Sequence, residues 1–270
     1  MIALGSVVIA IILGLVEGAT EFLPVSSTGH LIAVGALLGF TGERAHTFEV
    51  FIQVGAIFAV IWHYRRTLLQ LVRNAFHAGP DQRLAANVLL SFLPAAVLGF
   101  LLIGVIKTYL FSPMVVAVAL IVGGVVMLWV EWLTPTTTTR TLTEVRPLQA
   151  LWIGMAQCVA MIPGTSRAAA TILGGYAAGL SRPAATEFSF LLAIPTILGA
   201  ATLDLWQSRD LIGPADAPMF AIGVLVAFAS ALLVIRGFLR FVERHSFAGF
   251  AWYRIAFGAV LLALLSLGVI

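Results

Sequence analysis

Pro24-Val25-Ser26-Ser27-Thr28-Gly29-His30 sets three hydroxyls, a glycine and a histidine inside an otherwise apolar stretch, residues 1–40. A second stretch, 148–180, is built the same way around Pro163-Gly164-Thr165-Ser166-Arg167-Ala168-Ala169-Ala170-Thr171. In each, the apolar arms are short against the roughly 20 residues that a helix needs to cross a bilayer core. Backbone that breaks at membrane depth is tolerated only where it is buried in protein or lines a cavity. The two stretches therefore predict two re-entrant helical hairpins.

That reading presupposes lipid, and the composition supplies it. Of 270 residues 61% are hydrophobic and 10% charged, with a mean hydropathy of +1.06. Soluble domains carry about 25% charged residues. An ordinary globular enzyme and a disordered chain are excluded. So is a nucleic-acid binder, because 15 basic residues against 12 acidic ones form no basic patch despite a pI near 9.5. The one cysteine, Cys158, forbids an intramolecular disulfide and a multi-cysteine metal site. The apolar run from Ile2 to Val16 has no basic residue before it, so it reads as a retained segment rather than a cleavable signal.

Six further runs read as membrane spans: Phe48–Trp62 (beginning as early as Ala45), Ala85–Ile106, Met114–Leu133, Phe188–Leu205, Ala217–Ile235 and Ala248–Ile270. Pro94 and Pro195 are expected to kink their helices rather than end them. Basic residues orient the set by the positive-inside rule. Arg65, Arg66, Arg73, Arg83, Arg140, Arg146, Arg236, Arg240 and Arg244 fall on one side, taken as cytoplasmic. Arg44, Lys107 and Arg209 fall on the other, with Asp204, Asp210 and Asp216. The hairpin in 1–40 then enters from outside and the hairpin in 148–180 from the cytoplasm. Arg65, Arg66, Arg240 and Arg244 read as anchors for anionic lipid.

The chain also matches itself at an offset of 139–140 residues. Gly14-x-x-Glu17 meets Gly154-x-x-Gln157, and Pro24-x-Ser26-Ser27 meets Pro163-x-Thr165-Ser166; Gly35, Thr47 and Phe51 meet Gly174, Thr186 and Phe190. The predicted fold is an all-α polytopic membrane protein of one domain, 1–270. It has six transmembrane helices and two re-entrant hairpins in an inverted-topology repeat, with halves at about 1–133 and 148–270. Such repeats with paired broken helices enclose a site near the midplane.

Three charges lie inside the apolar stretches. Glu17 and Glu21 are four residues apart, so on a helix they share a face. An ionisable group at the bilayer centre costs on the order of 2.5–3.5 kcal/mol even on a lenient scale. The pair reads either as a helix end in interfacial water or as a paired-carboxylate site for a proton or a divalent cation, Mg²⁺ or Ca²⁺. Ser27 and His30 are three apart and meet if a helix starts there; Ser26 or Ser27 also suits an N-cap. Across the repeat, Gly164 frees the backbone, helix-opening amides favour an anion, and Arg167 offers a fork for phosphate oxygens. Alternatively, Arg167 neutralises Glu17 or Glu21. Glu49 and Glu187 support the site or favour helix N-termini, Gln157 binds ligand or bonds across helices, and Asp204 pairs with Arg254 at an interface.

Glu17-Gly18-Ala19-Thr20-Glu21-Phe22-Leu23-Pro24-Val25-Ser26-Ser27-Thr28-Gly29-His30 resembles the first signature of the bacterial undecaprenyl-pyrophosphate phosphatase family, linked to bacitracin resistance. Pro163-Gly164-Thr165-Ser166-Arg167, followed by Thr171, resembles its second, Pro-Gly-x-Ser-Arg-Ser-x-x-Thr, with Ala168 in place of a serine. Thr47-Phe48-Glu49-Val50 and Glu187-Phe188-Ser189-Phe190 also fit. The resemblance implies hydrolysis of undecaprenyl pyrophosphate to the monophosphate and phosphate, which recycles the carrier for cell-wall synthesis. It implies a divalent cation and a bacterial plasma (inner) membrane enzyme whose site opens to the outer side. The partners are the polyprenyl lipid, bilayer lipids and a possible second copy in a homodimer.

On this reading Arg167, Ser166, Gly164, Thr165 and Thr171, with Ser26 and Thr28, bind the pyrophosphate, and Glu17 and Glu21 hold the metal. Ser27 deprotonated by His30 is one nucleophile; His30 itself, or water activated by it, is another. A transporter or flippase of polyprenyl phosphate lipids is the alternative, since inverted repeats and midplane charges also serve transport.

Overall fold

The computed structural model describes residues 4–105, 109–110, 112–133, 136–211 and 213–268. Lys107, Ile106, Ile2 and Ile270, which enter the orientation and the expected apolar runs, lie outside them. The described residues form eleven α-helices. Six are long and apolar enough to cross a bilayer: α3 (Glu43–His63), α5 (Pro80–Val105), α6 (Pro113–Leu133), α9 (Arg182–Gln207), α10 (Ala217–Val242) and α11 (Ala248–Ser266). The protein is a multi-pass membrane protein. All six tryptophans are more than half exposed, as expected of residues at a lipid interface.

Each predicted span has its helix; α3, α5, α6, α9 and α10 extend past one predicted end or both, while α11 stops at Ser266. α3 begins at Glu43 rather than Phe48, with Glu43 favouring its N-terminus. α5 and α9 run on through Pro94 and Pro195. The segment between the first two spans, which carries Arg65, Arg66, Arg73 and Arg83, includes α4 (Arg65–Arg73). Its Leu71 is buried against the bundle, while Leu69, Val72 and Phe76 beyond it are exposed.

The remaining helices are the arms of the two interrupted stretches. α1 (Leu4–Thr20) packs on α2 (Ser27–Leu37), and α7 (Pro147–Val159) on α8 (Arg167–Ala177). All four are shorter than a bilayer-spanning helix. The packing is reciprocal: α1 and α3 lie on α10 of the second half, and α7 and α9 lie on α5 of the first. α3 meets α9, and α6 meets α11, across the middle. On α1, Gly18 permits the approach to α10, since a Cβ there would fall 2.4 Å from the Ala227 carbonyl.

Both interrupted stretches turn in the same way. Ser26 and Ser166 are the non-glycine residues at positive φ among those described, at 71° and 72°. Each caps the next helix, Ser26 Oγ accepting from Gly29 N (3.4 Å) and Ser166 Oγ from Ala169 N (3.1 Å). This corrects the register read from the sequence, which set Ser27 against Ser166. At the turns the offset is 140, so Ser27 and Arg167 are the equivalent first residues of α2 and α8.

Candidate active site

The two turns face one cavity of about 530 Å³. Its polar wall includes Glu21, Ser26, Ser27 and Thr28 from the first turn and Gly164, Ser166 and Arg167 from the second. Its apolar wall comes mainly from α5 and α9, among them Phe92, Gly99, Phe100 and Leu203, with Met161 just after α7; Gln157 of α7 and Thr196 and Asp204 of α9 add polar groups to it. Gly164 is needed where it stands. Its φ is +91°, and a Cβ there would lie 2.5 Å from the Val116 carbonyl of α6.

Glu21 is the centre of the polar wall. Ser27 Oγ donates to its Oε2 at 2.6 Å, and Arg167 Nη2 donates to its Oε1 at 3.1 Å. Both carboxylate and guanidinium are largely buried, with side chains 9% and 11% exposed. Arg167 Nη1 donates to Ser189 O (3.2 Å) and Ser189 Oγ (3.4 Å) on α9. Its guanidinium carbon stands 5.7 Å from the centre of the Phe22 ring. Thr171 Oγ1 donates to Arg167 O (2.9 Å), which leaves it as acceptor for Ser189 Oγ at 2.6 Å. Arg167 is thus held on two sides, and its planar fork can bridge Glu21 and α9 where a single ammonium could not.

Several expected members stand back from the cavity. Thr165 and Thr171 do not line it; Thr171 supports Arg167 instead. Ala168, where the resembled signature has serine, is fully buried. Glu49 and Glu187 are not in the wall either. Glu17 lies one helical turn below Glu21, is fully buried, and has no hydrogen-bond partner for either oxygen among the described residues.

The structure makes no hydrogen bond between His30 and Ser27. His30 Nδ1 lies 2.7 Å from Ser26 O, and Nε2 lies 2.6 Å from Tyr253 Oη. A carbonyl only accepts, so in the neutral ring Nδ1 carries the proton and Nε2 accepts from the phenol. The ring also stacks on Phe257 of α11 at 4.3 Å.

Residues 10–260 match the family described as bacitracin resistance protein BacA. The chain belongs to this family. Among similar proteins of the BacA family, undecaprenyl-diphosphatase 1 of Pseudomonas fluorescens (strain Pf0-1) is 54% identical over 254 residues, 94% of this chain and 92% of that protein. The undecaprenyl-diphosphatase of Pseudomonas aeruginosa (strain PAO1) is 53% identical over the same shares. Undecaprenyl-diphosphatase 1 of Stutzerimonas stutzeri (strain A1501) is 51% identical over 261 residues, 97% and 95% of the two chains.

Two residues whose part the sequence does not disclose shape the site of this BacA-family protein. Ser189 was visible only as part of a signature, and nothing in one sequence tells that its hydroxyl meets Arg167 and Thr171. Arg254 was expected to pair with Asp204. Its donors go instead to backbone carbonyls, including those of Pro24, Gly164 and Thr165 in the two turns.

Proposed function

We propose that this protein is an integral membrane phosphatase that hydrolyses undecaprenyl pyrophosphate to undecaprenyl phosphate and inorganic phosphate. Recycling of the lipid carrier and bacitracin resistance follow from that activity. The observation that carries the reading is the meeting of Ser27 and Arg167 on the two oxygens of Glu21. One carboxylate joins a nucleophile from the first turn to a cation from the second.

Phosphoryl transfer is helped mainly by positioning and by neutralising charge on the phosphate oxygens. Arg167 clamps the pyrophosphate, with Ser166 and Gly164 of its own turn and Ser26 and Thr28 of the other; Thr165, which stands outside the cavity, only shapes the turn. Ser27 Oγ attacks the terminal phosphorus as its proton passes to Glu21 Oε2. The bond to the bridging oxygen breaks, and undecaprenyl phosphate leaves with that electron pair. Water then attacks the phosphoserine, the bond from phosphorus to Ser27 Oγ breaks, Glu21 returns its proton to that oxygen, and phosphate departs carrying the hydrogens of the water. His30 positions the first turn by holding Ser26 O, while direct attack by His30 or activation of water by it remain the competing assignments. The apolar wall from α5 and α9 takes the prenyl tail.

Glu17 supports a cation site. A fully buried carboxylate without a partner requires a proton or a positive ion. Glu17 and Glu21, one helical turn apart, would be the residues to hold Mg²⁺ or Ca²⁺, both of which take carboxylate oxygens. Bound there, the ion supplies positive charge to the phosphates.

The halves form an inverted-topology repeat and the α1–α2 and α7–α8 pairs are re-entrant. The equivalent serine caps and the reciprocal packing support this. The site opens toward the outer face of the plasma membrane, in keeping with the basic residues placed at the opposite end. The same symmetry favours a second reading, transport of a polyprenyl phosphate lipid. Phosphate release by the purified protein from undecaprenyl pyrophosphate separates the two. Release lost in Arg167→Ala supports hydrolysis, and lipid binding without release from the wild type supports transport. Light scattering of the purified protein tests the homodimer.

A further inference from the structure

The two turns that build the site are joined by a residue that belongs to neither. Arg254 stands in α11 among apolar residues and has no exposed surface. Among the described residues none of its partners is a carboxylate. Nη1 donates to Pro24 O (3.2 Å) and Thr165 O (2.9 Å). Nη2 donates to Gly164 O (3.1 Å) and Ala119 O (3.2 Å), and Nε to Leu120 O (3.4 Å). A guanidinium has one N–H on Nε and two on each Nη, and the acceptors are distributed in the same proportion. No other side chain offers so many donors in a fixed plane.

The acceptors identify what is being held. Pro24 lies in the first turn, Gly164 and Thr165 in the second, and Ala119 and Leu120 on α6 between them. Space for the group is provided by Gly123 of α6, where a Cβ would fall 2.2 Å from Nη2. The bonds also set the direction of the second turn. In a trans peptide C=O and N–H point opposite ways, and no peptide among the described residues is cis. The Thr165 carbonyl, fixed on Arg254, therefore sends the Ser166 N–H away from it, and Ser166 lines the cavity while Arg254 does not.

We infer that Arg254 is a positioning residue, locking the first turn against the second so that Ser27 and Arg167 meet at Glu21. This inference rests on the hydrolase reading for its kinetic consequence, but not for its geometric one. A group misplaced by about 1 Å can cost on the order of 100-fold in rate.

The test compares wild type, Arg254→Lys and Arg254→Gln, purified intact, in kinetics and in geometry. For geometry, spin labels are placed at Leu37 of α2 and Ala177 of α8, both exposed, after replacing Cys158 by alanine. Expected are a kcat lower by about 30-fold or more with KM changed by less than about 5-fold, and a broadened Leu37–Ala177 distance distribution. Lysine should not rescue, because one ammonium cannot serve acceptors on both turns and α6. If Arg254→Gln does not accumulate, Gly123→Ala crowds the guanidinium without removing it and should broaden the same distribution. An unchanged kcat, or a reduced kcat with an unchanged distribution, overturns the inference. A wild type that releases no phosphate while the distribution still broadens in Arg254→Gln defeats the hydrolase reading and leaves the lock standing.

Discussion

Ser27 of α2 and Arg167 of α8 meet on one carboxylate, that of Glu21, the serine on Oε2 and the guanidinium on Oε1. Each is the first residue of its helix, and each follows a serine held at positive φ. The contact is thus made from matching positions in two turns 140 residues apart.

Glu21→Gln tests the carboxylate. The amide keeps the shape but loses the charge, and it no longer takes the Ser27 proton. General-base contributions are typically 10²–10⁴-fold, so phosphate release should fall by about that factor. Ser27→Ala should remove release and any trappable phospho-enzyme together. Near-normal turnover in Ser27→Ala would show that Ser27 is not the nucleophile.

Arg167→Lys is not a mild change at this position. Lysine can reach Glu21 or Ser189, but it cannot hold both and still present a planar fork. Expected is a loss in kcat/KM of about 100-fold, comparable to losing a well-placed phosphate donor. Lysine at wild-type efficiency would mean that a point charge suffices.

Much of this was legible in the sequence and some was not, for separable reasons. The six spans follow from hydropathy, which is a local property. Glu17, Glu21 and Arg167 stood out because charge is scarce in lipid. The Ser26 and Ser166 caps could be guessed by residue type, but their register could not, since Ser26-Ser27 and Thr165-Ser166 each offer two hydroxyls for one cap. Ser189 and Arg254 were illegible because their partners are 18 to 230 residues away. His30 was read toward Ser27 on spacing alone, and its direction is decided by Tyr253 and Phe257 of α11, far along the chain.

Glu144 carries a pH dependence outside the membrane helices. Its Oε2 accepts from Arg140 N (2.9 Å) and Thr141 N (3.2 Å), and these bonds hold its carboxyl below the ordinary value. A lowered carboxyl pKa contributes stability that is complete above the unfolded value, about 4.3 for glutamate. The contribution is lost as pH falls through the lower folded value. Hydrogen exchange at Arg140 and Thr141 should show protection at pH 6 that weakens in acid, after allowance for the intrinsic rate. Glu144→Gln should abolish that pH dependence; an unchanged profile would assign the protection elsewhere.

His30 separates two mechanisms, because the structure engages both ring nitrogens away from Ser27. Suppose His30 acts by fixing the first turn through Ser26 O. Tyr253→Phe then removes only the Nε2 partner, leaves Nδ1 on the carbonyl, and should lower kcat by less than about 10-fold, the scale of one neutral hydrogen bond. His30→Asn, whose amide can still donate to Ser26 O, should retain more activity than His30→Ala. Suppose instead that the ring attacks or activates water. His30→Asn and His30→Ala would then fall together, by the 10²–10⁴-fold typical of a lost acid–base group. Measured side by side with Ser27→Ala, the rank order decides: asparagine well above alanine at position 30 makes the histidine a support for the turn. Equal and near-complete losses at position 30, with activity surviving in Ser27→Ala, would move the chemistry to the imidazole.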